Sequence, residues 1–188
     1  MLTHNIKLYQ MDVKSAFLNG YINELVYVEQ PPNFEDEKKP NHVYKLRKAL
    51  YGLKQAPRAW YERLRDFLLS KGFKMGKVDT TLFTKKLGND LFVMQIYVDD
   101  IIFGSTNQDF CEEFGKIMAS EFEMSMIGEL SYFLGLQIKQ MKNGTFMSQD
   151  KYIKDMLKKF GMDDSKAIST PMGTSGSLIW CMHVWQHS

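Results

Sequence analysis

Three carboxylates stand out by position. Asp99 and Asp100 are adjacent within residues 91–103 (LFVMQIYVDDIIF), a run of mostly β-branched, aromatic and aliphatic residues without Lys or Arg. Asp12 falls near the end of a second strand-like run, residues 6–13 (IKLYQMDV). An ionised carboxylate buried without a partner is prohibitively costly. The pair therefore lies at an exposed turn, or a cation from outside the sequence neutralises it. Alone, Asp99-Asp100 suits a hairpin turn, and Asp12 suits a strand end or a helix cap. Together they suggest more: two apolar strands that each deliver a carboxylate at one end can meet in one sheet and form an oxygen-rich pocket. Mg²⁺ takes carboxylate oxygens and keeps its remaining positions for water and substrate phosphates. Two such ions ~3.5–4 Å apart would stabilise the attacking and leaving oxygens of a phosphoryl transfer. Successive strand residues face opposite ways, and Asp99, taken as nearer the strand body, is the expected stronger ligand.

The elements that position these groups follow in chain order. In residues 6–13, alternation puts Ile6, Leu8, Gln10 and Asp12 on one face and Tyr9, Met11 and Val13 on the other. A short helical or turn segment, KSAFLNG, stops at Asn19-Gly20, and residues 26–29 form a brief strand cut by Pro31-Pro32. Residues 43–50 (VYKLRKAL) fit either strand or helix. Pro57 suits the first turn of a helix whose stripe is Trp60, Leu64, Phe67 and Leu68, ending at Lys71-Gly72. Residues 82–86 and 91–98 read as a hairpin through Gly88-Asn89-Asp90, and residues 101–104 return from a tighter one with VDDI at its tip. Thr106 or Asn107 caps a helix with stripe Phe110, Phe114, Ile117 and Met118. A strand pair, residues 132–140 and 145–148, precedes a last helix, about residues 150–160, with Ile153, Met156, Leu157 and Phe160 inward. This order predicts an α+β fold: a mainly antiparallel sheet with helices packed on one face.

Composition sets the bounds. A chain of 188 residues, 44% hydrophobic and 13% aromatic, is long enough for a core and too apolar for disorder. A net charge of +2 gives no global field for a polyanion, so a nucleic-acid surface must be local. Residues 45–65 supply one: Lys45, Arg47, Lys48, Lys54, Arg58, Arg63 and Arg65 against Glu62, interleaved with Tyr51, Trp60 and Tyr61. That mixture suits phosphate contacts with some stacking, and equally a solvated helix face. A weaker basic set is Lys151, Lys154, Lys158 and Lys159. Cys111 and Cys181, far apart and without CxxC spacing, suggest a reducing compartment. With no leader-like segment and no run approaching ~20 apolar residues, the expectation is a soluble, intracellular chain without a membrane partner. Cys181, His183 and His187 give three potential zinc ligands without a fourth, and read as an incidental tail.

The motifs MDVKSAFLNG, LYGLKQAPRAWY, YVDDIIF and YFLGLQI, in this order and spacing, resemble a copia-type retrotransposon reverse transcriptase over roughly residues 7–172. The resemblance implies a polymerase palm-like fold and an RNA-directed DNA polymerase that extends a primer 3′ end with deoxynucleotides. It makes Asp12, Asp99 and Asp100 the catalytic residues, holding two Mg²⁺ ions or Mn²⁺ in their place. Phe17 matches an aromatic gate whose ring leaves no room for a ribose 2′-hydroxyl; the plainer reading is a core phenylalanine. Gly52 matches a nucleotide-pocket glycine or is simply a turn, with Tyr51 and Lys54 as flanking contacts. Tyr97, Arg58 and Arg63 fall to the nucleic-acid track. Phe133, Leu134 and Gly135 resemble a primer-gripping hairpin or are a hairpin held by packing. Implied partners are an RNA or DNA template with primer, deoxynucleoside triphosphates, and the rest of a polyprotein: fingers, connection, RNase H and integrase. The implied location is a cytoplasmic retrotransposon particle, or the nucleus.

Departures shape the domain expectation. Only eleven residues precede Asp12, where family members carry basic fingers, and after Thr170-Pro171-Met172 the text turns into a divergent tail. The expected division is a palm core over residues 1–125, a primer-grip-like hairpin with its following helix over 126–172, and a divergent or unstructured tail over 173–188. The whole reads as a fragment of a longer polyprotein. The rival reading is a catalytically inactive nucleic-acid-binding remnant. An RNA-copying palm that makes RNA is disfavoured by Phe17 and by LYGLKQAPRAW.

Overall fold

The computed structural model describes residues 6–142 and 144–165. It divides into two compact units, Met1–Glu129 and Leu130–Ser188. The first is built on a six-stranded antiparallel sheet. Its strands are β1 (Lys7–Val13), β4 (Lys74–Met75), β5 (Leu82–Leu87), β6 (Asp90–Tyr97), β7 (Asp100–Ser105) and β8 (Met124–Glu129), in the order β4-β5-β6-β7-β1-β8. Two short strands, β2 (Tyr27–Val28) and β3 (Tyr44–Lys45), pair separately. The helices are α1 (Ala56–Ser70) and α2 (Gln108–Glu121), preceded by a 3-10 turn at Ala16–Asn19.

Alternation sorts the sheet into two faces. Met11, Val13, Phe83, Phe92, Met94, Ile96, Ile101 and Phe103 are buried on one face, against Trp60, Leu64, Phe67 and Leu68 of α1 and Phe114 and Met118 of α2. Phe92 stacks on Phe103 at 6.0 Å, and Phe114 meets both rings at 5.1 Å. Burying each such side chain contributes about 1.5–3 kcal/mol. The opposite face carries Gln10, Asp12, Gln95, Tyr97, Asp100 and Ile102, brought side by side by the pairings Gln95↔Ile102↔Gln10 and Tyr97↔Asp100↔Asp12. Both helices cover the first face, as an α+β palm-like domain requires.

The expected α1 stripe is buried throughout, and Asn107 rather than Thr106 caps α2, its side chain accepting from the Asp109 amide at 3.1 Å. Residues 43–50 are extended: β3 pairs with β2, Leu46 N–H donates to Val26, and Ala49 N–H donates to Gly20. Two strands were not expected. β4 is two residues long, too short to show alternation. β8 pairs with β1 through a register shift opposite Gln10 and Met11, with Gly128 at φ +95°. That bulge breaks period 2 and hides the strand in the sequence.

The second unit has a three-stranded antiparallel sheet, β9 (Tyr132–Phe133), β10 (Leu136–Met141) and β11 (Gly144–Ser148), followed by α3 (Asp150–Lys159). The single strand expected over residues 132–140 is instead a hairpin. Leu134 and Gly135, at φ +48° and +83°, turn the chain so that Leu136 pairs with Phe133. In α3, Ile153, Met156 and Leu157 are half-buried, but Phe160 is 64% exposed. The helix ends at Lys159, so the C-capping Phe160 falls outside the stripe it was expected to complete. Among the described residues no helix is long and apolar enough to cross a membrane.

Candidate catalytic site

β6 and β7 are joined by a two-residue turn, Val98-Asp99, with Tyr97 and Asp100 as the flanking pair. Asp100 thus begins a strand, and Asp99 lies in the turn rather than nearer a strand body, which removes the premise on which Asp99 was ranked above it. Val98 has φ +57°, and Asp99 is not among the positive-φ residues, the pattern of a type II′ turn. Glycine is the usual occupant of that first position; a β-branched residue there costs on the order of 1–3 kcal/mol. Two hydrogen bonds hold the strained turn: Trp60 Nε1 donates to the Val98 carbonyl at 2.7 Å, and the Val13 amide donates to the Asp99 carbonyl at 3.1 Å.

On the neighbouring strand Asp12 is the direct cross-strand partner of Asp100, so both carboxylates project from the sheet face opposite the helices. Gln10, two residues before Asp12, is buried, and its Nε2 donates to Asp100 Oδ1 at 2.9 Å. One oxygen of Asp100 is therefore committed to an amide. Burial pushes the Asp12 carboxyl above the usual carboxylate range, and the charges of Asp99 and then Asp100 push it in the same direction. No cation enters that balance. Asp12, with the charges of Asp99 and Asp100 bearing on it at one end of adjacent strands, has the donor chemistry of a hard divalent ion's site. Among the described residues, however, no three acidic, His or Cys side chains form a ready-made metal cage. Mg²⁺ does not require one, since one or two carboxylates with substrate phosphates and water complete its shell.

Shortly after β1 in the chain, the 3-10 turn carries Phe17, whose ring meets Tyr51 at 4.9 Å with planes tilted by 50°. Phe17 is only partly buried and packs on the main core cluster and on a smaller one of Ala49, Ala56 and Ala59. The turn is locked to α1 by Gly20, where an added Cβ would lie 2.7 Å from the Ala59 carbonyl carbon and the Trp60 nitrogen. Gly52 has φ +89° with open space where a Cβ would stand, so the backbone turn alone demands glycine. Tyr51 and Lys54 are exposed on either side.

The basic track is altered by Glu62 within it and by acids distant in sequence or just outside it. Arg58 pairs with Glu62 at 2.9 Å, Arg65 with Asp66 at 2.7 Å, and Arg63 with Glu121 of α2, the guanidinium also lying over the Phe122 ring. Trp60 is buried, edge-on to Phe122 at 5.2 Å, and is not available to stack on a base. Tyr61 hydroxyl donates to the Thr80 carbonyl at 2.7 Å. Tyr97 is exposed on the carboxylate face, opposite Asp100. In the second unit, Leu134 and Gly135 form the tip of the β9–β10 hairpin and Phe133 its last paired residue. Gln10 and Trp60 had no expected role at the carboxylates; the only sequence signal was the shared face of Gln10 and Asp12. Cys181, His183 and His187 and the expected tail over residues 173–188 lie outside the described residues.

Comparison with known proteins agrees with this arrangement. The family described as reverse transcriptase (RNA-dependent DNA polymerase) matches residues 2–174. The chain is 43% identical over 169 residues to a retrovirus-related Pol polyprotein from transposon RE1 of Arabidopsis thaliana, covering 90% of this chain and 12% of that protein. It is 34% identical over 171 residues to the corresponding polyprotein from transposon TNT 1-94 of Nicotiana tabacum, covering 89% of this chain and 13% of that one. The chain thus spans about an eighth of the length of these relatives. Carboxylate turn, cross-strand aspartate and covered sheet face together with these matches place the chain in the reverse transcriptase family, among its copia-type members.

Proposed function

We propose that this domain extends a primer 3′ end with deoxynucleotides on an RNA or DNA template, by two-metal phosphoryl transfer. The observation that carries the proposal is the Asp12↔Asp100 register beside the Val98-Asp99 turn, which brings Asp99 and Asp100 close enough to Asp12 for their charges to raise its carboxyl. Asp12, Asp99 and Asp100 would hold Mg²⁺, or Mn²⁺, which when bound supplies charge neutralisation at the attacking oxygen, the phosphorus and the leaving pyrophosphate. The chain's own residues position and select. Gln10 fixes one oxygen of Asp100 and leaves the other for the ion. Phe17, braced by Tyr51 and by the Gly20 contact with α1, presents a ring beside the sugar site and disfavours a 2′-hydroxyl. Lys54 and the Gly52 turn lie on the nucleotide side, and Tyr97 on the template–primer side. Arg58 and Arg63 already pair with carboxylates, which lowers the net charge they offer a phosphate while leaving other guanidinium N–H groups to donate. The Phe133-Leu134-Gly135 hairpin is assigned to the primer. Its partners are template–primer, deoxynucleoside triphosphates and the other segments of a polyprotein, acting in a retrotransposon particle.

The test is Mg²⁺-dependent extension of an oligo(dT) primer on poly(rA) by the 188-residue chain and by Asp99→Asn. Expected is extension that the variant reduces by at least about 100-fold, because it removes one of the carboxylates that would hold the ion. Salt-sensitive binding of the primer–template with no extension by either protein would overturn the proposal in favour of a binding remnant.

A further inference from the structure

We infer that Trp60 is a positioning residue for the carboxylate turn: its indole N–H selects the peptide orientation that sets Asp99. The inference rests on the polymerase reading for its functional meaning and on geometry for its substance. Types I′ and II′ share positive φ at the first central residue and differ by reversal of the central peptide, which moves the second residue between positive and negative φ. In this turn that peptide is Val98–Asp99, and its carbonyl is the group Trp60 Nε1 holds at 2.7 Å. The competing form is accessible, because aspartate tolerates positive φ better than most residues. Val98 does little to prevent the reversal itself, being 44% exposed.

Trp60 suits the task because it cannot move. It is 1% exposed, lies edge-on to Phe122 at 5.2 Å, and its backbone nitrogen is packed against Gly20. A buried indole needs some acceptor, and many would serve. The one it takes lies 38 residues away, on the single strained β-branched residue between Tyr97 and Asp99. Helix α1, entered through the Gly52 turn, thereby ties the nucleotide-side segment to the carboxylate turn by one hydrogen bond.

The decisive variant is Trp60→Phe, which keeps an aromatic ring and removes the donor. The first readout needs no metal: the φ of Asp99, from its HN–Hα coupling and ¹³C shifts in the 188-residue chain. Expected is negative φ in the wild type and a second, positive-φ form in the variant; an unchanged Asp99 overturns the inference. The second readout is Mn²⁺ affinity by EPR titration, expected to weaken about fivefold to tenfold, the worth of one net hydrogen bond. Phe83→Leu, a core lesion away from the turn, should lower Tm and leave Mn²⁺ affinity unchanged. Val98→Gly in the Trp60→Phe background should restore affinity, since glycine favours the II′ form unaided. If Trp60→Phe does not fold, Val98→Gly with Trp60 intact decides: its indole ¹H resonance should keep its hydrogen-bonded shift, and a shift typical of free indole in the wild type overturns the proposal. A wild type that binds no Mn²⁺, with Asp99 still responding to Trp60→Phe, removes the polymerase reading and leaves the turn mechanism standing.

Discussion

Asp12→Asn should stabilise the fold while destroying the site. Asp12 faces Asp100 across a strand pair, where side chains stand ~5 Å apart. Two unit charges at about 5 Å repel by about 0.8 kcal/mol in water. Asp99 contributes at least as much as Asp100 to raising the Asp12 carboxyl, so the pair sums to roughly 1.5–2 kcal/mol before screening. Exposure and 0.1 M salt reduce this to about 1 kcal/mol. For a unit of this size that is a rise of about 3–5 °C in Tm. The pH dependence has a definite sign. The folded-state pKa lies above the unfolded value, so the native chain binds more protons in between. Stability therefore falls as pH rises from about 4 through the raised pKa, and stays lower above it. The advantage of Asp12→Asn should accordingly be small near pH 3.5, grow through that window and level off at neutral pH. Calorimetric melts in chelator-treated buffer from pH 3.5 to 8 measure it. An Asp12→Asn protein with wild-type Tm at pH 7, or an advantage that shrinks as pH rises, would refute the reasoning. On the proposed metal reading, adding Mg²⁺ should raise the wild-type Tm and leave the variant nearly unmoved, since a ligand stabilises only the native state that binds it.

Other perturbations test the scaffold and the selectivity of the site. Gly20→Ala places a methyl 2.7 Å from two α1 backbone atoms that cannot give way, and should cost roughly 1–3 kcal/mol, seen as a lowered urea midpoint with unchanged m-value. Phe17→Ala should raise incorporation of ribonucleotides relative to deoxynucleotides in primer extension; an unchanged ratio would reduce Phe17 to a packing residue of the two core clusters it touches.

Much of the fold was legible because its signals are local. The α1 stripe, the Gly88-Asn89 hairpin and the Asn107 cap depend on residues no more than four apart, and the sequence displays them. What was hidden depends on partners. β8 has an edge position and a bulge at Gly128, so neither burial nor period marks it. Residues 43–50 are ambiguous alone and become extended because residues 20–28 supply their hydrogen bonds. The split of residues 132–140 hinges on Leu134 accepting a left-handed conformation beside Gly135, and leucine gives no warning of that.

The site divides along the same line. That Asp12 and Asp99-Asp100 belong together could be read from two apolar runs that each end in an unpaired acid. That they meet through Asp12 and Asp100, with Asp99 in the turn, could not, because a two-residue loop moves the strand boundary by one residue. The basic track shows the opposite error. Counting cations between residues 45 and 65 overstated its free charge, since Glu121 comes from another helix and Asp66 lies one position past the window. Trp60 makes the same point from inside the core. Its place in an apolar stripe accounts fully for the ring, and nothing in that stripe reveals the nitrogen's partner. An indole buried by periodicity still has a donor to satisfy, and in this fold the acceptor lies on the Val98-Asp99 turn, 38 residues away.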